Sequence, residues 1–225
     1  TRGTRSLVRV YRYPQLAAGA DGTLEGPERV FRIVTTGPLA NFGVAITSRE
    51  AGVQVQPRVV RAGDENRLTG YAALPLNHNP YLAGLGERVL AAGALRPAPG
   101  AYDIVFDSPT ARGAGRFTFR YWVNDVTPPT AGLVSRSIVR GDDLRLRVSD
   151  RGSGVFPASV VASVDGRQRA VTVRNGIVHI RLESPRRGRH RLRLQVSDYQ
   201  ETRNTENVLP ILPNTRVLTT TFVVR

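Results

Sequence analysis

Between Phe117 and Thr130 a regular alternation runs into a double proline. Phe117, Phe119, Tyr121 and Val123 alternate with Thr118, Arg120, Trp122 and Asn124, the period-2 pattern of a half-buried strand. Pro128-Pro129 then removes two backbone donors and pushes the preceding residue into extended conformation, so strand pairing must stop there. Strand patterns begin again from Leu133. The segment therefore reads as the last strand of one domain, a short stiff linker and the start of another. Its implied boundaries are 1–127 and 128–225, two lengths that each suit one ordinary domain.

The rest of the chain alternates in short runs separated by turn residues, and with 15 Pro and 22 Gly it has little room for long helices. Leu7–Tyr13, Arg29–Val34, Gly43–Thr47, Val53–Val60 and Gly100–Phe106 read as strands of the first domain, with residues 14–27 as a loop. Gly37-Pro38 and Asn41 supply turn chemistry, and Pro57 demotes its strand to an edge or a bulge. Residues 62–100 read as irregular: a polar turn at Ala62–Arg67, then a loop Leu74–Leu82 whose Leu74, Leu76, Tyr81 and Leu82 suit packing over a sheet.

In the second domain, Asp143–Ser149 directs Leu144, Leu146 and Val148 inward and Arg145 and Arg147 outward. Asp150-Arg-Gly-Ser-Gly-Val155 is a tight turn. Ser159–Val164, Gln168–Val173 and Ile177–Leu182 read as strands joined at Asp165-Gly166 and Asn175-Gly176, the strongest short hairpin signals. Arg189–Val196 and Leu218–Val224 bring the total to about seven. A weak internal repeat aligns Gly100-Ala-Tyr102-Asp-Ile104-Val-Phe106 with Gly188-Arg-His190-Arg-Leu192-Arg-Leu194, and its Gly-x-Tyr start has the form of the tyrosine corner of immunoglobulin-like sandwiches. The expected fold is all-β: two tandem immunoglobulin/fibronectin-III-like β-sandwich domains.

Cysteine is absent, which removes disulfide and thiol chemistry, and no apolar run is long enough for a membrane-spanning helix. The chain also has no Met, so it is expected to be a fragment or a processed product. All 32 basic residues are Arg. Residues 1–127 carry 15 Arg against 10 acids, and 128–225 carry 17 against 8. A net charge of +14 favours anionic partners, while a GC-rich genome placing Arg on outward strand positions explains the same count.

Weighed as chemistry, these residues assign no catalytic, cofactor-binding or metal-ligating position. His179 and His190 fall inside strand patterns, where surface or corner roles are expected, and His78 lies between two Asn in the long loop without a nucleophile motif. Three His without Cys make no zinc site. Calcium is conceivable at Asp125, Asp150, Asp198, Glu201 and Asn204, should these converge near the domain junction, although turn formation explains each of them. Arg145, Arg147, Arg167, Arg169, Arg186, Arg187, Arg189, Arg191 and Arg193 suggest a basic surface. Phe156, Tyr199 and Phe222 are too few to interleave as base-stacking platforms, so adhesion to something anionic is expected and specific nucleic-acid recognition is not. Trp122 is the one flat aromatic a carbohydrate could use, and packing between the domains is its expected role.

Several segments in order resemble the C-terminal region of secreted subtilisin-like serine peptidases of high-GC actinobacteria. They are Gly63-Asp-Glu-Asn-Arg-Leu-Thr-Gly-Tyr71, Leu76-Asn-His-Asn-Pro-Tyr81, Phe117-Thr-Phe-Arg120 with Trp122 and Asp125, Asp150–Val155, and Val196–Asn204 through Leu212-Pro-Asn-Thr215. The resemblance covers most of the chain and implies a secreted, extracellular parent: an N-terminal serine endopeptidase domain followed by accessory β-sandwiches. The Gly-Thr-Ser nucleophile segment and the Asp and His segments of that family are missing here, so no catalytic residue carries over. The resulting expectation is a non-catalytic module that stabilises, spaces or targets the parent peptidase, the peptidase domain being its partner. An adhesive module on anionic cell-surface polymer or carbohydrate is the alternative. Third is a stand-alone enzyme using the 74–82 loop.

Overall fold

The structure, a computed structural model, describes residues 4–9, 11–12, 27–62, 91–108, 111–113, 115–183, 185–200 and 214–225. They fall into two compact units that meet in sequence between Val126 and Thr127. Each unit is a β-sandwich, and the described residues contain no α-helix.

The first unit contains β1 (Thr4–Arg9), β2 (Tyr11–Arg12), β3 (Pro27–Thr35), β4 (Asn41–Arg49), β5 (Gln56–Arg61), β6 (Ala91–Leu95), β7 (Gly100–Asp107) and β8 (Arg116–Val123). One sheet runs β1-β8-β4-β6 and the other β2-β3-β7-β5, every pair antiparallel. Period-2 alternation sends Phe42, Val44 and Ile46 of β4 and Phe117 and Phe119 of β8 inward, against Val59, Tyr102, Ile104 and Phe106 of the facing sheet. The Phe106 ring sits 4.7 Å from Phe119 and 5.0 Å from Phe117 in tilted contacts, so aromatic area dominates this core. Among the described residues β5 pairs with β7 alone, which puts Pro57 on an edge strand there.

Four sequence expectations are corrected in this unit. The run expected as one strand over Leu7–Tyr13 is two, with β1 in one sheet and β2 in the other. The strand read at Val53–Val60 starts at Gln56. The stretch 62–100 contains β6, hidden because Ala91-Ala-Gly-Ala94 lacks the β-branched and aromatic residues that mark a strand. Its small residues allow instead a close approach, with Gly93 paired to Gly43. Trp122 is fully buried, with its indole lying across Gly43, its register partner on β4. The Leu74–Leu82 loop and His78 lie outside the described residues.

The second unit contains β9 (Thr130–Leu133), β10 (Ser137–Ile138), β11 (Leu144–Ser149), β12 (Val161–Val164), β13 (Arg167–Arg169), β14 (Val171–Arg174), β15 (Ile177–Ile180), β16 (Gly188–Ser197) and β17 (Thr215–Val224). Its sheets run β14-β15-β11-β9 and β10-β17-β16-β12-β13. With β10 parallel to β17 and all other pairs antiparallel, this is the immunoglobulin arrangement. The sheet β9-β11-β15-β14 takes the A-B-E-D places, and β12, β16 and β17 take C, F and G. Leu144, Leu146, Val148, Val178 and Ile180 face Ala162, Val164, Leu192, Leu194, Val196 and Phe222 across the core.

Both hairpins form as expected. Asp165 and Gly166 have φ of 51° and 80°, and Asn175 and Gly176 have 49° and 73°, the left-handed pair required by a two-residue turn. The strand expected over Gln168–Val173 is two strands in different sheets. Arg169 and Val171 share one parity, and no single sheet face suits both a guanidinium and a core valine. Crossing at Ala170 resolves that conflict.

Candidate functional site

On β16 the inward residues Leu192, Leu194 and Val196 are buried, which forces Arg189, Arg191 and Arg193 onto the opposite, solvent-facing side. All three are exposed. Residues two apart on a strand are about 6.5–7 Å apart, so the three guanidinium groups stem from a straight row at that interval. Register places Val223, Thr221 and Thr219 of β17 beside Arg189, Arg191 and Arg193, and Ser163 of β12 on the other side of Arg193. The result is a row of cations bordered by hydroxyl groups. Among the described residues no ion pair joins any of the three to a carboxylate.

The nine arginines read from sequence as one basic surface are in fact divided. Arg145 and Arg147 lie on β11, on the outer face of the other sheet, where Arg174 shares the Arg147 row through Ile177. Arg167 and Arg169 pair with the inward residues Val164 and Ala162 at the β13 edge. Arg186 and Arg187 precede β16 and are exposed. The Arg145 region is also mixed in sign. An open cleft of ≈ 830 Å³ there is lined by Asp142, Asp143, Arg145, His179 and Arg225, with His179 Nδ1 3.8 Å from Asp143 Oδ2. A polyanion meets two carboxylates in that cleft; at the β16 row the carboxylate at hand is Asp165, which is already engaged by His190 and by the Arg191 N–H.

Two further side chains organise the approach to β16. His190 Nδ1 lies 2.6 Å from Asp165 Oδ2, and its Nε2 lies 2.7 Å from the Arg186 carbonyl. Asp165 Oδ1 accepts the Arg191 backbone N–H at 2.9 Å. The His190 ring stacks on Phe222 of β17 at 5.4 Å and 26°. Hydrogen bonds from the Arg191 N–H and from His190 hold the Asp165 carboxyl below the ordinary carboxylate range. The same carboxylate, then the Arg186 carbonyl, raise the His190 imidazole above the usual histidine value.

The candidate calcium ligands are distributed as follows. Asp125 belongs to the first unit, where its N–H donates to Asn41 Oδ1 at 2.9 Å and its carbonyl accepts from Asn41 Nδ2 at 2.6 Å. In the second unit Asp150 Oδ2 accepts the Gly154 N–H at 2.7 Å, as expected of a turn-forming Asp. The turn is fastened to the end of β16 by the Val155–Asp198 bridge, by Tyr199 N–H donating to the Gly154 carbonyl and by Gln200 N–H donating to Ser153 Oγ. Asp150 and Asp198 bring carboxylate oxygens within 4.8 Å of each other. Glu201 and Asn204 lie outside the described residues.

Among the described residues, the aromatic side chains considered from sequence for a sugar or a base are buried or packed on one another. Trp122 is 0 % exposed, so the flat face considered for carbohydrate is not presented. Phe222 is buried, and Phe156 packs on the buried Tyr199 at 5.1 Å. Sequence reasoning missed the bordering hydroxyls of Thr219 and Thr221 and the Asp165–His190 pair. All of them depend on strand register across some 25 residues or more, which periodicity does not encode.

No protein-family model and no curated protein matches the chain. Among solved structures, it is similar to a DUF4785 family protein from Legionella pneumophila, at 15 % identity and a TM-score of 0.28, over 100 % of this chain and 61 % of that one. It is also similar to the adhesin domain of Epf from Streptococcus pyogenes, at 12 % identity and a TM-score of 0.31, over 99 % of this chain and 77 % of that domain. The chain thus spans less than two thirds of the length of the first of these.

Proposed function

We propose that the chain is a non-catalytic binding module that holds its parent protein on an anionic cell-surface polymer. The observation that supports this most is the β16 row: three exposed arginines at regular intervals, bordered by hydroxyls and joined to no carboxylate among the described residues. Such a row suits a chain of regularly spaced phosphates or similar anions, engaged by charge rather than by shape. Guanidinium groups supply paired donors to each anion, and the threonine hydroxyls add further ones. Binding of this kind is screened by salt. The direct test is retention of the full chain on immobilised poly(glycerol phosphate) over a salt gradient. Retention that falls steeply with salt supports the reading; retention unchanged from low to high salt overturns it.

A second reading concerns the parent. The segments that, taken in sequence order, resemble the tails of secreted subtilisin-like peptidases favour an extracellular accessory module carried behind such a catalytic domain, to stabilise, space or target it. The two readings are compatible, since a targeting tail has to hold something. The coding DNA upstream of Thr1 tests the second: a signal peptide and Asp, His and Gly-Thr-Ser catalytic segments support it, and tandem copies of the same sandwich in their place overturn it.

A further inference from the structure

The internal repeat is a repeat of a contact, and its second copy is titratable. In the first unit Gly100, at φ 147°, precedes Tyr102 by two, and the Tyr102 hydroxyl donates at 2.6 Å to the carbonyl of Ala98, four residues back. In the second unit Gly188, at φ 125°, precedes His190 by two, and His190 Nε2 meets the carbonyl of Arg186, again four residues back. A phenol makes this corner with a single hydroxyl donor. An imidazole makes it with a ring whose other nitrogen is already against Asp165.

The hydrogen-bond accounting at His190 admits one protonation state. A backbone carbonyl can only accept, and so can an ionised carboxylate. Asp165 is kept ionised by the Arg191 N–H on its other oxygen. Both ring nitrogens must therefore donate, which only the imidazolium can do. A neutral ring has one N–H and leaves a lone pair facing either the carboxylate or the carbonyl.

We propose that His190 and Asp165 form a proton-operated clasp, which ties the Asp165-Gly166 turn to the Arg186–Gly188 segment and lets go of one of them when the imidazole loses its proton. The surroundings are consistent with a local device. From the β12–β13 turn the ring faces Asp165, whose charge also feels Arg169 on β13. From the preceding segment it faces the Arg186 carbonyl, with exposed Arg186 and Arg187 beside it. From β17 it faces uncharged Phe222. Arg189 and Arg191, its neighbours on β16, carry their side chains to the opposite face of the sheet. Desolvation of the ring opposes its positive charge, and direct contact with the carboxylate and the carbonyl outweighs it.

The test reads the ring and the turn, not polymer binding, so it is independent of the function proposed above. In the full-length, 15N-labelled chain, imidazole spectra from pH 5 to 9, assigned with His78→Gln and His179→Gln variants, should show His190 doubly protonated to a pH above the ordinary histidine value of 6.5. The Arg191, Gly166 and Gly188 amides should shift with the His190 midpoint. Asp165→Asn keeps an Asn-Gly turn, which is as good a hairpin former, and should lower that midpoint. His190→Tyr should restore the corner in the form the first unit uses and abolish the pH-dependent shift of Gly188. A His190 midpoint at or below the ordinary histidine value of 6.5, or one unmoved by Asp165→Asn, would overturn the proposal. So would a normal His190 titration that leaves the Arg191 and Gly188 amides still.

Discussion

Tyr102 and His190 occupy equivalent places in the repeat and respond differently to solution conditions. Tyr102 is buried and spends its hydroxyl on the Ala98 carbonyl, so Tyr102→Phe leaves that carbonyl without its donor. The expected loss is about 1 kcal/mol of first-unit stability, the usual net value of one hydrogen bond, measured as a lower urea midpoint with Trp122 fluorescence as the probe. The chain has one tryptophan, and it lies in the first unit, so that signal reports on the correct sandwich. For His190 the sign follows from linkage. Its proton is held more tightly folded than unfolded, so its contribution is complete below the ordinary histidine value of 6.5 and is lost as pH rises through the higher folded value. Asp165 works in the opposite sense: its contribution is complete above the ordinary 3.8 and is lost as pH falls through the lower folded value. The stabilisation from the clasp is therefore complete between about pH 4 and 6.5. Second-unit thermal stability should decline above that window, and in His190→Tyr that decline should disappear.

Among the elements, β4, β6 and β8 show what sequence patterns capture and what they miss. The alternation that predicts β8 places Phe117 and Phe119 correctly, because burial of one face is written directly into period-2 spacing. It misplaces Trp122, which shares parity with Arg120 and reads as outward. Its burial depends on Gly43, a residue on another strand whose missing side chain makes room for the indole. The strand β6 went unread for a related reason: what qualifies it is Gly93 opposite Gly43, not its own composition. A Cβ at residue 43 would sit 2.3 Å from Trp122 Cζ2, and one at residue 93 would sit 2.3 Å from the Phe42 carbonyl oxygen and 2.5 Å from Gly43 Cα. Gly43→Ala should cost about 1–3 kcal/mol as the ring is pushed aside. Gly93→Ala meets backbone, which cannot swing away, and should cost more; urea titration of the two variants side by side gives the order. The hairpins were readable outright, because Asp-Gly and Asn-Gly state their backbone conformation locally. Of the candidate face, the outward arginines of β16 were readable from alternation. Their separation from Arg145 and Arg147 was not, since it depends on which strand joins which sheet.

For the molecule as a whole, the second unit is proposed to present one basic face suited to a polyanion. Charge alone does not establish it, because a chain at +14 adheres weakly to many anionic surfaces. What distinguishes a built face from diffuse charge is dependence on position. Arg145 and Arg147 carry the same charge on the other sheet, and a double Arg145→Gln, Arg147→Gln variant is the matched control. The decisive measurement is the affinity of the full chain for poly(glycerol phosphate) at 50 and 200 mM salt, with Arg189→Gln, Arg191→Gln, Arg193→Gln beside that control. If three phosphates are neutralised, and each contributes roughly 0.7–0.9 to the logarithmic salt slope as on nucleic-acid strands, the native chain should weaken about 20–40-fold across that range. The triple variant should bind weakly at both concentrations with a flattened slope, and the control should behave like the native chain. Equal losses in the triple variant and the control would mean that net charge, not the β16 row, holds the polymer, and would contradict the account.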